Sequence, residues 1–80
     1  MQINILFFGI LRDIANCSTI NLTLSKGDTL ADLRQQLATL YPKLTAFKNY
    51  AMAVNETYAE GDYIIKENDV IALIPPVSGG

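Results

Sequence analysis

Hydrophobic and polar positions along the chain change period several times, and each change marks an element. From Gln2 to Phe8, Ile3, Ile5 and Phe7 fall on one side, and Asn4, Leu6 and Phe8 on the other. That is the period of a strand. Its second side begins polar and turns apolar toward Phe8. Gly9 ends the run, and Ile10 to Asn16 makes a short connection with room for one helical turn, carrying Arg12 and Asp13. Cys17 to Leu24 alternates again, Ile20, Leu22 and Leu24 against Asn21 and Thr23, which suits the second strand of a hairpin with one face in a core.

The period then lengthens. Ser25-Lys26-Gly27-Asp28 is a turn, and Thr29 with Asp32 three residues on is close to a capping box, with the acid at the positive end of the helix. Leu30, Leu33, Leu37 and Leu40 recur at helical spacing. They predict a helix from Leu30 to Leu40 with its leucine stripe in the core, stopped by Pro42. Lys43 to Asn49 is expected to be a loop and Tyr50 to Val54 a third strand. Asn55-Glu56 turns into a short Thr57-Tyr58 segment. Glu60-Gly61-Asp62 turns again, Tyr63 to Lys66 is extended or 3₁₀, and Glu67-Asn68-Asp69 makes the last turn. Val70 to Ile74 is apolar on both faces, the mark of a strand inside a sheet.

One helix cannot cover both faces of such a sheet, so the fold class is α+β with the helix on one side. The last strand belongs in the middle, parallel to the first: the β-grasp, or ubiquitin-like, arrangement with a mixed sheet. Ile71 and Leu73 then join Ile3, Ile5 and Phe7 beneath the helix. Leu6, Phe8, Ala72 and Ile74 are left on the open face, and Tyr58 extends that patch. Exposed apolar side chains on a small domain are common, but a cluster of them marks a docking surface.

Pro75 and Pro76 lack the N–H that a ladder needs, and their fixed φ favours an extended exit. A domain of residues 1–75 followed by a tail of residues 76–80 is the expected organisation. Fully extended, Pro76 to Gly80 would reach about 16 Å, enough to enter another protein's active site. Gly79 and Gly80 have no side chain to obstruct a narrow channel, and a carboxylate at Gly80 is unhindered. A bare Gly-Gly pair is also what a frayed terminus looks like. This pair differs by following a buried strand and a double proline directly.

Composition narrows the chemistry. The 80 residues are half hydrophobic with a net charge of −2, so a nucleic-acid footprint is missing. The longest apolar blocks are strand-sized, so neither a membrane span nor a signal peptide is expected. There is no histidine and one cysteine. A zinc site is therefore not expected, and the usual general base for a Ser or Cys nucleophile is missing. Cys17 reads as a half-buried filler in a reducing, cytoplasmic setting, with no partner for a disulfide or to activate a catalytic thiol.

The chain resembles the small, sulfur-carrying subunit of molybdopterin synthase over its whole length. Leu6-Phe7-Phe8, Leu11-Arg12-Asp13, Thr29-Leu30-Ala31-Asp32-Leu33-Arg34, Tyr41-Pro42, Ala53-Val54-Asn55 and Asn68-Asp69-Val70 all match loosely. The specific motif is Pro75-Pro76-Val77-Ser78-Gly79-Gly80. Asn68 departs from a frequent glycine and Ile74 from a common aromatic. The resemblance implies a sulfur-donating subunit with no bound cofactor, its catalytic side chains supplied by the large subunit. An E1-like adenylating enzyme would use ATP to activate the Gly80 carboxylate, and a sulfur donor would convert it to a thiocarboxylate, a 1-thioglycine. The large subunit, in a heterotetramer of two small and two large chains, would accept Pro75 to Gly80 as the tail. Sulfur would pass to cyclic pyranopterin monophosphate to build the dithiolene of molybdopterin. Phe8, Arg12, Tyr58 and Ile74 are the residues expected at the partner interface. Other readings are a thiamin-type or other ubiquitin-like carrier, and a ubiquitin-like modifier conjugated to lysines.

Overall fold

The computed structural model describes residues 1–47 and 49–76. Strand β1 (Gln2–Phe7) is followed by helix α1 (Ile10–Ala15), strand β2 (Thr19–Thr23), helix α2 (Leu30–Leu40) and a 3₁₀ segment (Pro42–Phe47). Strands β3 (Ala51–Val54), β4 (Thr57–Tyr58) and β5 (Val70–Ile74) complete it. The sheet order is β2-β1-β5-β3-β4. β1 runs parallel to β5, with Asn4 opposite Val70 and Phe7 opposite Leu73. β2 on one side and β3 on the other are antiparallel to these central strands. This is the expected mixed β-grasp sheet.

The strand alternation decides what is buried. Ile3, Ile5, Phe7, Ile71 and Leu73 are at most 2% exposed and pack against Leu30, Leu33 and Leu37 of α2. Phe7 meets Tyr41 edge to face, ring centres 5.7 Å apart, a geometry favoured by the ring quadrupoles. At the start of α2 the capping box is complete. The Thr29 hydroxyl accepts from the Asp32 N–H at 3.3 Å, and the Asp32 carboxylate accepts from the Thr29 N–H at 2.9 Å. Two of the helix's orphan donors are thereby satisfied.

Four local expectations need correction. Leu40 is 53% exposed; it occupies the last helical residue, and Tyr41 and Leu44 close that end of the core instead. Lys43 to Asn49 is not all loop, because Pro42–Phe47 winds into a 3₁₀ segment. Pro42 suits the start of a helical turn, where no N–H is required, and Leu44 is buried by it. Strand β2 begins at Thr19, since Cys17 belongs to the end of α1: its N–H donates to the Arg12 carbonyl beyond Asn16, which sits in the left-handed region at φ 60°. Strand β3 begins at Ala51, because Tyr50 lies under Arg34, whose guanidinium carbon is 4.2 Å from the ring centre. The connection from Ile10 is a helix of six residues that buries Leu11 and Ala15. Tyr63 to Lys66 is extended, joined to Thr29 by a single bridge at Ile64. No helix among the described residues is long and apolar enough to cross a membrane.

Candidate functional site

The face of the sheet away from α2 is built from the same strands by the opposite set of side chains. Register places Leu6 beside Ala72, Ala72 beside Ala53, and Ala53 beside Tyr58, one row across four strands. Phe8 and Ile74 extend it toward the C-terminal end of the parallel pair, Val70 and Asn55 toward the other. Together with Glu56 these residues line an open groove of about 640 Å³. The central positions are small, two alanines, and the flanks are large. Phe8 is 48% exposed and Tyr58 68%, while Leu6, Ala72 and Ile74 are half-buried. Three of the residues expected at a partner interface, Phe8, Tyr58 and Ile74, are therefore brought together. Arg12 is exposed on α1 and does not line the groove.

The tail leaves next to Phe8. The Phe8 N–H donates to the Leu73 carbonyl at 3.2 Å, carrying the parallel ladder one residue past β1. Gly9 then turns with φ at 55°, and a Cβ there would lie 2.9 Å from Cγ of Pro75. A backbone without a side chain lets the proline rest on it. Pro75 is half-buried and Pro76 exposed. Val77, Ser78, Gly79 and Gly80, the rest of the expected tail, lie outside the described residues.

No group of three or more His, Cys, Asp or Glu side chains able to hold a metal ion occurs among the described residues. The Cys17 thiol donates to the Ala15 carbonyl at 3.4 Å. Burial, with the neighbouring Cys17, pushes the Tyr41 phenol above its ordinary value.

One cluster escapes sequence reasoning. Asp69, expected only as a turn residue, is 6% exposed. It accepts from the Asn55 amide at 2.9 Å, the Tyr63 hydroxyl at 2.9 Å and the Lys66 N–H at 2.8 Å. Burial disfavours its charged form, but the hydrogen bonds from Lys66, Asn55 and Tyr63 and the Lys66 charge outweigh that and hold it below the usual carboxylate value. The available signal was an acid set directly before a wholly apolar strand. Asn68 beside it has φ 71°. Asn is among the few side chains that tolerate that region, which explains how it stands where the resemblance expects glycine.

The family model for ThiS matches residues 5–80. The chain belongs to the ThiS family. Among similar proteins of known assignment is the molybdopterin synthase sulfur carrier subunit of Chlamydomonas reinhardtii, 32% identical over 83 residues and covering 100% of both chains. The small archaeal modifier protein SAMP1 of Haloferax volcanii superposes with a TM-score of 0.87 at 22% identity, again over 100% of both chains; that likeness speaks to the fold. A further match is a chain in the complex of subunits 1 and 2 of molybdopterin-converting factor from Helicobacter pylori 26695. It has a TM-score of 0.71 and 26% identity over 100% of both chains. This ThiS-family chain thus joins a β-grasp domain to a motif, Pro75 to Gly80, that lies within the matched range.

Proposed function

We propose that the chain is the sulfur carrier subunit of a molybdopterin synthase and that its reacting group is the Gly80 carboxylate. An unactivated carboxylate is a poor electrophile. ATP, used by an E1-like adenylating partner, would make it an acyl-adenylate, and sulfide from a sulfur donor would then displace AMP to leave 1-thioglycine. A thiocarboxylate sulfur is anionic near neutral pH and strongly nucleophilic. In the large subunit's active site its sulfur would attack cyclic pyranopterin monophosphate to join carrier and pterin as a thioester. Water, adding at the Gly80 acyl carbon, would break the acyl C–S bond, leaving the sulfur on the pterin and returning the carboxylate. The dithiolene needs two sulfurs, so each carrier is used once per sulfur and recharged. Acid–base work would fall to the large subunit, in a heterotetramer of two carriers and two large chains. Activation by ATP and a lone, reduced Cys17 go with a cytoplasmic location.

The observation that carries this reading is the strand β5. It sits in the middle of the sheet, ends at Pro75-Pro76, and leaves beside an apolar groove containing Phe8, Ile74 and Tyr58. A partner that accepts the tail must hold the domain near its base, and the groove supplies apolar surface for that grip. Support from relatives is independent: the matched Helicobacter pylori structure is itself a complex of two subunits.

Intact-mass analysis of the protein from its native host tests the chemistry. A fraction with one oxygen replaced by sulfur at the C-terminus is expected. Covalent adducts to lysines of other proteins, with no thiocarboxylate at any growth stage, would overturn the carrier reading in favour of a modifier. A C-terminal tag is expected to leave the fold intact and to abolish activation until it is removed.

A further inference from the structure

The groove has one wall with little to hold it. Tyr58 stands on β4, an edge strand of two residues, both exposed, paired with Ala53 and Val54 of β3 and carried one residue further by the Ala59 N–H, which donates to the Met52 carbonyl at 3.1 Å. A ladder that short is marginal by itself. The turn joining β3 to β4 is Asn55-Glu56, with φ at 49° and 74°. Two consecutive positive values are the geometry of the tight hairpin turn that matches sheet twist. Neither residue is glycine, so the turn calls for an outside restraint.

Asn55 supplies that restraint through its backbone N–H and both ends of its side-chain amide. Its backbone N–H donates to the Val70 carbonyl at 2.8 Å, and its side-chain oxygen accepts from the Val70 N–H at 3.0 Å. Its side-chain amide donates to the buried Asp69 carboxylate at 2.9 Å. Asp69 is fixed in turn by Tyr63 and the backbone of Lys66. The hairpin is therefore tied to the root of β5, the strand that ends in the tail.

We propose that Asp69 and Asn55 form a clasp that positions the Tyr58 wall of the groove for docking of the large synthase subunit. Both are positioning residues, acting through the groove wall. This rests on the reading that the groove is where the large subunit grips the domain.

The exchange of the two side chains tests it. In Asp69→Asn alone, an amide nitrogen confronts the Asn55 amide. In Asn55→Asp alone, two carboxylates face each other. In the double exchange an amide at 69 can donate to a carboxylate at 55 while its oxygen still accepts from Tyr63 and Lys66. The carboxylate at 55 still accepts from the Val70 N–H. Every bond of the clasp is restored with one donor reversed.

The full-length chain and the large subunit of the same organism are titrated by calorimetry, and nuclear Overhauser contacts between Tyr58 and its cross-strand neighbour Ala53 are recorded on the free chain. Each single variant is expected to stay folded, lose those contacts and bind about tenfold more weakly. The double exchange is expected to regain both properties. Single variants that melt earlier yet bind unchanged per folded molecule would overturn the clasp, as would an exchange that restores neither property. Failure of the unaltered chain to bind the large subunit would overturn the docking reading itself, an outcome separate from the Overhauser result.

Discussion

The two faces of the sheet are made by alternate residues of the same strands, yet they have come to opposite ends. On the covered face Ile3, Ile5, Phe7, Ile71 and Leu73 are shut from water beneath α2. On the open face Leu6, Ala72 and Ile74 are half-buried and Phe8 is 48% exposed. Both sets are apolar. What separates them is helix α2, which lies on one side only. The lesson is that apolar character does not by itself distinguish a side chain that holds the fold from one that waits for a partner. Its phase relative to the helix does.

The sharpest way to break this comparison is to cut equivalent side chains on each face. Leu73→Ala on the covered face is expected to cost about 2–5 kcal/mol of stability, read as a lower melting temperature, with affinity per folded molecule unchanged. On the open face, Phe8→Ala and Ile74→Ala are expected to reverse the pattern. Each should weaken binding to the large subunit by roughly 2 kcal/mol in calorimetry while shifting the melting temperature little. A large loss of stability from Phe8→Ala with unchanged affinity would mean that the faces had been assigned the wrong roles.

Helix α2, which creates the difference, depends in part on its cap. Thr29→Ala should remove the hydroxyl acceptor and cost about 1 kcal/mol by denaturant titration, with Thr29→Ser largely retaining it. The smallest effect concerns pH. The Asp69 carboxyl lies below its ordinary value of 3.8 in the folded chain. It therefore contributes stability that is present above that value and lost as pH falls through the folded one. The Tyr63 phenol is raised by its hydrogen bond to Asp69, with burial and the Asp69 charge adding to it. Its contribution is present below the ordinary phenol value of 10.0 and lost as pH rises beyond it. In Asp69→Asn the acid limb of the stability curve should flatten; an unchanged acid limb would show that the carboxylate is not the titrating group.

Much of this architecture is legible in the sequence because alternation and helical spacing report directly on which side of an element meets the core. The period of two placed Ile5 with Phe7 and Leu6 with Phe8, and Thr29 with Asp32 announced the start of α2. Periodicity fails where an element ends or where the contact is polar. Leu40 continues the leucine spacing but falls on the last residue of α2, where the helix no longer covers the sheet. Pro42, a stop signal for one helix, also serves as the first residue of a 3₁₀ turn. The bond from Asn55 to Asp69 spans 14 positions and obeys no period, so only the folded chain reveals it. Of the expected functional residues, Phe8, Tyr58 and Ile74 converge on one groove, Arg12 stands apart on α1, and Val77 to Gly80 lie outside the described residues.

The parallel pairing of β1 with β5 also bears on how such a chain is born. The centre of the sheet joins its earliest strand to its latest, Asn4 beside Val70, a connection of high sequence separation that forms slowly. During synthesis the β1–β2 hairpin and α2 emerge well before their central neighbour exists, and the core cannot close over Ile5 and Phe7 until Ile71 and Leu73 arrive. The segment that carries the tail is thus the segment that completes folding. On the proposed function, an activating enzyme that recognised the finished domain would not meet its C-terminal segment on a half-folded one, so maturation of the domain and availability of that segment would be one event.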